Sequence, residues 1–314
     1  MSQASIILPV WNGEECILNC IDSIKNQTFN NFECIIVDDG STDNTIAIVE
    51  QSIADDSRFK LIRTSHEGLS NARNVGIENA SSETIFYVDA DDQAKPEMVE
   101  KVLKFMDENN LEIAIFDADV VNGDAMPSLG IQKYFCRKSN YGIKSGKEIL
   151  SKMVGNGDYV YAVFIQAIRK SAIRKKFCYG LRAQDILYTT QNLFLAERVG
   201  HLSEKLYIKR AMKKSVSSSP HDAHYAWSLF KTLMELKKFV DEGGYSNFAL
   251  EQIMSYSFIA LIYALKCLNR SDWKEFEQMT FSERVILKNL AWLVHNPVVS
   301  KSLDIKIPEN LNAY

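Results

Sequence analysis

Apolar positions in the first 120 residues follow two alternating rhythms. Short unbroken runs have strand length and β-branched content: "SIILPV" (5–10), "FECIIVDDG" (32–40), "RFKLIRT" (58–64), "TIFYVDAD" (84–91) and "EIAIFDADV" (112–120). Between them, apolar residues recur three and four apart. In "EECILNCIDSIKNQ" (14–27), Cys16, Ile17, Cys20, Ile21 and Ile24 share one helical face. "STDNTIAIVEQSI" opens on a Ser-Thr-Asp helix-start signal, and "LSNARNVGIENA" (69–80) and "PEMVEKVLKFMDEN" (96–109) complete the series. Strands alternating with helices predict right-handed crossovers. The expected fold class is α/β, a Rossmann-like, mostly parallel sheet flanked by helices.

Beyond residue 121 the rhythm weakens. "NGDAMPSLGIQ" (122–132) reads as an exposed loop, "SGKEILSKMVG" (145–155) as a short helix and "DYVYAVFIQAI" (158–168) as a buried segment. "AQDILYTTQNLFLAERVG" (183–200) predicts another helix and "KLYIKR" (205–210) a strand. After the loop "KKSVSSSP", helical periodicity covers 222–241, 246–269, 271–278 and 281–295. The expected organisation is an α/β half over 1–120, a second half of the same domain over 121–220, and a helical C-terminal region over 221–314.

Charge refines this picture modestly. The net charge of −4 argues against a nucleic-acid binder. It is uneven: residues 201–314 hold 15 Lys/Arg against 12 Asp/Glu, whereas the rest is acidic. Six cysteines are scattered without a CxxC pair, which fits a reduced, cytoplasmic setting better than a disulfide framework. The N-terminal apolar run lacks a basic flank and is too short for a signal peptide. "IMSYSFIALIYALKCL" (253–268) contains polar residues and Lys266, and reads as a buried helix.

The candidate chemistry sits where the strands end. "PVWNGE" follows the first strand, "DDGSTD" the second and "DADD" the fourth, and ligands of open α/β sheets bind beyond such carboxyl ends. A single acidic tip is usually a cap or turn; three at one edge make a site. No GxGxxG, GxxxxGK[ST] or GxSxG is present, which removes dinucleotide, P-loop and Ser-hydrolase fingerprints. Two carboxylates one residue apart suit a hard divalent cation, Mn²⁺ or Mg²⁺, whose remaining ligands are water and substrate phosphate.

Two stretches carry a family resemblance: "SIILPVWNGEECILNCIDSIKNQTFNNFECIIVDDGSTDNT" (5–45) and "GLSNARNVGIENASSETIFYVDADDQAKPEMVE" (68–100). They resemble the nucleotide-sugar-binding half of glycosyltransferase family 2, of GT-A fold, in its bacterial surface-polysaccharide type. A thinner likeness runs through "YAVFIQAIRKSAI", "GLRAQDILYTTQNLF" and "LSEKLYIKRAMKKSVS". The resemblance implies a role for each matching position. Asp89-Ala90-Asp91 would be the DXD motif, Asp91 binding the metal and Asp89 the ribose or the metal's surroundings. Asp39 would recognise the base, and Pro9, Val10, Asn12 and Glu14 would line the nucleotide, with Trp11 at an aromatic position or packed under the loop. Arg73 would face the base or diphosphate. Asp185 would be the catalytic base; the Glu that usually precedes it is here Gln184.

The implied activity is an inverting, metal-dependent transfer from a nucleotide-sugar, with UDP expected, to a hydroxyl of a glycan or lipid-linked acceptor. It would serve bacterial polysaccharide or lipooligosaccharide synthesis. Two alternatives stay open: a catalytically silent nucleotide-sugar-binding module, and a Mg²⁺-dependent nucleotidyltransferase. Asp92 reads equally as part of the acidic run or as a helix cap. His221, His224, Lys213 and Lys214 read as solvated or as diphosphate contacts. In "SERVILKNLAWLVHNPVVSKSL", Trp292 and aliphatic residues mix with Arg284, Lys288 and Lys301. That pattern fits a helix packed on its own domain or on a second subunit, or one peripheral to the inner face of a membrane.

Overall fold

The computed structural model describes residues 3–122, 134–211, 222–269 and 271–295. Most of the 122–132 loop, Lys213, Lys214, His221 and Lys301 lie outside the described residues.

The N-terminal alternation folds as the pattern dictates. Strands β1 (Ala4–Val10), β2 (Phe32–Asp38), β3 (Phe59–Arg63) and β4 (Thr84–Tyr87) alternate with α1 (Ile17–Lys25), α2 (Thr45–Ile53) and α3 (Leu69–Asn79). All three pairings among these strands are parallel, in the order β3-β2-β1-β4. In register, Val10 lies opposite Asp38 and Asp38 opposite Arg63, so the polar tips reach one edge together.

The later strands complete the sheet by a route the alternation does not reveal. After the short β5 (Gln93–Ala94), α4 (Met98–Glu108) leads into β6 (Ile113–Asn122). Then come β7 (Ile143–Lys144), α5 (Gly146–Gly155), β8 (Gln166–Arg169), α6 (Gln184–Leu195) and β9 (Val199–Ala211). β8 inserts antiparallel between β4 and β6, and β9 pairs parallel to β6. The sheet is therefore mixed, parallel through β4 and again at β6/β9. β8 comes from the buried segment 158–168, whose apolar run gave its burial but not its direction. Residues 1–120 and 121–220 thus share one sheet.

Burial alternates along each central strand. In β1, Ile6 and Leu8 join the core under α1 and α4, while Ile7 joins the opposite core against α3. This is why the run is unbroken: both faces are covered. On α1 the buried set is Ile17, Cys20, Ile21 and Ile24, the face the spacing predicts. Gly76 of α3 lies so close to β1 that a Cβ there would meet the Ile7 side chain at 2.4 Å. α5 begins with a capping box, in which Ser145 and Glu148 satisfy each other's backbone N–H groups.

The C-terminal region is helical: α7 (Ala223–Gly243), α8 (Phe248–Cys267), a 3₁₀ segment (Asp272–Gln278) and α9 (Phe281–His295). These helices extend the α3-side core, with Leu229, Phe230, Leu261, Leu265, Leu287 and Ala291 in the same cluster as Ile7. α8 is the one described helix long and apolar enough, by length and composition, to cross a membrane. The sequence predicts a buried helix, and the fold buries one side of it. Ala249, Leu250, Ile253, Leu261 and Leu265 face inward, while Phe248, Phe258 and Tyr263 are exposed. On α9, Phe281, Val285, Ile286, Trp292 and Leu293 are exposed as well.

Candidate active site

The tips of β1, β2 and β4 frame a cavity of about 340 Å³. Pro9, Val10, Trp11, Asn12 and Gly13 form one wall, Asp39, His66 and Gly68 a second, and Asp89, Ala90, Asp91 and Lys209 a third. The first loop is locked to the second by side-chain-to-backbone bonds. Asn12, at φ 49°, donates from its backbone to Ser41 Oγ (2.9 Å) and accepts from the Thr42 N–H (2.8 Å). Glu14 accepts from the Asn44 N–H and side-chain amide at 3.0 and 2.9 Å. Of the first-loop residues predicted to line the nucleotide, Pro9, Val10 and Asn12 do line the cavity; Glu14 braces the loop and is not among the lining residues.

Asp39 lines the cavity while holding the 64–68 turn. Its carboxylate accepts from Thr64 Oγ1 (2.9 Å) and from the Glu67 and Gly68 N–H groups (both 2.8 Å). Gly68 sits at φ 91° and Gly40 at φ 75°; a Cβ on Gly40 would lie 2.9 Å from the His66 backbone nitrogen. Only glycine allows the two turns to approach this way. Trp11 does not pack under its loop. It is 52% exposed and stacks on His66 at the rim, with ring centroids 4.5 Å apart and planes 27° apart.

Behind the acidic wall lies a buried ion cluster. Arg73 of α3 donates through Nη2 to Asp89 Oδ1 (2.8 Å) and through Nη1 to Asp185 Oδ1 (2.5 Å). Its side chain is 2% exposed and lies over the Phe177 ring, 5.3 Å from the centroid. The guanidinium expected to face the base or diphosphate is instead buried between two carboxylates on different elements, and Arg73 is not among the lining residues. Asp185 lies in the first turn of α6, yet its carboxylate goes to Arg73 and not to the helix end, where Ala183 is the N-cap. Burial pushes the Asp185 carboxyl above its ordinary range, with Arg73 opposing and Asp89 reinforcing the shift. Gln184 is buried and accepts a hydrogen bond from the Ser70 hydroxyl. Ser70 and Arg73, one turn apart on α3, thus grip Gln184 and Asp185 on α6.

Asp92 is neither a helix cap nor an open carboxylate. It is buried and accepts from Tyr207 Oη (2.9 Å), Lys209 Nζ (3.0 Å) and the Arg210 N–H (2.9 Å), clasping β9 to the end of β4. Burial opposes the charge on Lys209, but Asp92, Asp91 and Asp89 more than offset it and hold the ammonium above its ordinary value. Carboxylate oxygens of Asp89, Asp91 and Asp92 lie within 4.8 Å of one another. Asp92 is already spent on three donors, which leaves Asp89 and Asp91 as the residues able to hold a cation. Four carboxylates (Asp89, Asp91, Asp92, Asp185) face two cations (Arg73, Lys209). Burial pushes the Asp92 carboxyl up to about 8, with Lys209 opposing, so the open acidic pair at the wall is Asp89 and Asp91, and hard oxygen donors at a strand end suit Mn²⁺ or Mg²⁺.

The model of glycosyl transferase family 2 matches residues 5–177, which include the tips of β1, β2 and β4 and Arg73 but neither Asp185 nor Lys209. The chain belongs to glycosyl transferase family 2. It is 31% identical to the glycosyltransferase YibD of Escherichia coli (strain K12) over 69% of this chain and 63% of YibD. It is 29% identical to EpsH of Bacillus subtilis (strain 168) over 96% of this chain and 85% of EpsH. Among solved structures, residues 1–349 of Staphylococcus aureus TarS in complex with UDP-GlcNAc superpose with a TM-score of 0.66 at 20% identity. That match covers 99% of this chain and 89% of TarS 1–349. The mannosyltransferase PcManGT of Pyrobaculum calidifontis, in complex with GDP-Man and Mn²⁺, gives 0.59 at 15% identity, covering 99% and 85%. These likenesses establish the GT-A-type fold.

For this family 2 chain the structure adds cavity residues that the sequence did not single out. Lys209 sits inside the strand run "KLYIKR", where nothing marks which face it takes. Cys16, which the spacing puts on the apolar face of the first helix, is instead the N-cap residue of α1 and lines the cavity, and His66 lies in a turn whose path follows only from the fold. His224 is exposed beside Trp227, 5.5 Å between ring centroids, and is not among the lining residues.

Proposed function

We propose that this glycosyltransferase is inverting and metal-dependent, taking a sugar from a UDP-linked donor to a hydroxyl of a glycan or lipid-linked acceptor in bacterial surface-polysaccharide assembly. The observation that carries this reading is the Asp89–Arg73–Asp185 bridge, which sets a carboxylate with a raised pKa beside the acidic wall of the cavity. The UDP-GlcNAc bound to TarS supports the choice of donor.

In this reading Asp39 and the first loop hold the nucleotide, and Asp89 and Asp91 hold the metal. When bound, that ion neutralises the leaving diphosphate. Asp185, whose side chain is 22% exposed, accepts the proton of the acceptor hydroxyl as its oxygen bonds to the anomeric carbon. The bond from that carbon to the diphosphate breaks on the opposite side, so the configuration inverts.

Titration calorimetry with Mn²⁺ tests the donor half. Wild type should bind UDP more tightly with Mn²⁺ than in EDTA, and Asp91→Ala should remove that gain; a gain that survives the substitution, or no gain in wild type, would overturn the metal assignment. Asp185→Asn should bind UDP normally and lose transfer, and undiminished transfer would exclude it as base. A silent binding module finds no support in Gln184, whose side chain is occupied as the partner of Ser70. The exposed apolar residues of α8 and α9 suit contact with the membrane that carries a lipid-linked acceptor. Flotation with anionic vesicles at low salt tests this, and its absence refutes it.

A further inference from the structure

We propose that Lys209 is a tethered phosphate-binding residue of the cavity, contacting the donor diphosphate directly and independently of any metal. The inference rests on the donor reading above and assigns a role to a residue outside the matched segment 5–177.

Three observations carry it. Among the described residues lining the cavity, Lys209 is the only lysine or arginine. Arg73, the other cation of the cluster, is turned away with both arms committed. Second, the ammonium is fixed in place. Asp92 accepts from it at 3.0 Å, Asp91 lies 3.6 Å off, and the Phe164 ring centroid is 5.4 Å away. Tyr207 stacks on that same ring at 4.7 Å while donating to Asp92, so the clasp holds the lysine stem on two sides. Third, an ammonium carries three N–H donors. One goes to Asp92, and Asp91 is beyond hydrogen-bond distance, so donors remain for a ligand in the cavity.

A cation held beside the carboxylates solves a problem that a metal alone leaves. The three acidic residues that line the cavity, Asp39, Asp89 and Asp91, repel a diphosphate until the metal arrives. A fixed ammonium next to Asp91 gives the anion a partner from the outset, and its position is already set by Asp92, which lowers the ordering cost of binding. Compact and strongly hydrated, it acts as a point charge for phosphate oxygens.

The test compares UDP with uridine, which shares the base and ribose but has no phosphate, in EDTA and in Mn²⁺. Wild type should bind UDP in EDTA more tightly than uridine, with an affinity that falls as salt rises. Lys209→Met should weaken UDP binding roughly tenfold to a hundredfold while leaving uridine within about twofold, as expected for losing one charge-assisted bond. Lys209→Arg should keep most of the UDP affinity. Equal losses for UDP and uridine, or UDP binding unchanged in Lys209→Met, would overturn the proposal. Should Lys209→Met not fold, UDP binding by wild type in EDTA that ignores salt, or that is no tighter than uridine, overturns it equally. No binding of UDP or uridine by wild type even with Mn²⁺ would instead refute the donor reading.

Discussion

Replacing Arg73 by Met tests the charge architecture directly. Met keeps much of the apolar stem packed over Phe177 while removing the guanidinium that Asp89 and Asp185 share. Breaking a buried ion pair by removing one partner costs about 3–5 kcal/mol, because the other charge stays behind without compensation. Two features move the figure. Both carboxylates keep some solvent, with side-chain exposures of 23% and 22%, which lowers the cost per partner. Against that, one substitution strands two acids at once. The net expectation is about 3 kcal/mol at neutral pH.

The pH dependence sharpens the test. Asp185 already has a raised carboxyl pKa from burial, and Arg73 is the group that opposes the rise. Without Arg73 the folded-state value climbs further above the unfolded one. A carboxyl raised in the folded state contributes stability that is fully present below the unfolded value and lost as pH rises through the folded value. The deficit of Arg73→Met relative to wild type should therefore be largest at neutral pH and shrink toward pH 4. Urea unfolding at several pH values measures it. A deficit under about 1 kcal/mol, or one independent of pH, would refute the argument. So would simple additivity of Arg73→Met with Asp185→Asn in a double-mutant cycle, since the two residues are in contact.

Gly146→Ala should severely destabilise the fold, because its Cβ would lie 1.7 Å from the Leu193 carbonyl oxygen; Gly155→Ala, with nothing within 4 Å, should stabilise by about 0.5 kcal/mol, and thermal melts compare them. Asp119 has a lowered carboxyl pKa, chiefly from its Lys95 hydrogen bond, with burial opposing and Lys205 assisting. Its stabilising effect is present above the unfolded value and lost as pH falls through the lower folded one, so Asp119→Asn should cost under about 1 kcal/mol at pH 7 and nothing near pH 2, by urea titration. The Cys16 thiol is pushed up to about 11, first by burial and then by Asp91, so at pH 8 maleimide should modify it far more slowly than exposed Cys267, as mass mapping would show.

Much of the sheet edge was legible because its signals are local. A continuous apolar run followed by a polar turn tells where a parallel strand ends, and parallel strands with helical crossovers must end on the same side. The tips carrying Asp39, Asp89 and Asp91 could therefore be gathered from sequence alone. What was not legible depends on contacts across long separations. Arg73 and Asp185 are 112 residues apart, and no periodicity in α3 says that its arginine points inward at another helix. β8 escaped for a related reason: an apolar segment declares its burial, but the partner that fixes its direction is Thr84–Phe86 on one side and Ile113–Ile115 on the other.

Asp92 shows how far identical residue types can diverge within one turn. Asp89, Asp91 and Asp92 share chemistry and lie within four residues, so composition cannot rank them. The strand's end does. With Asp92 N–H bonded to the Asp89 carbonyl at 3.0 Å, the turn directs Asp92 into the protein, against Tyr207 and β9, while Asp89 and Asp91 stay at the cavity wall. A buried carboxylate is costly unless fully hydrogen-bonded, and β9 supplies all three of its donors, including Lys209. The residue that satisfies Asp92 is thus the same one that brings a positive charge into the cavity. One side chain therefore serves both β9 docking and the cavity's charge, so a substitution at Lys209 removes a donor from Asp92 and the cation from the cavity wall together.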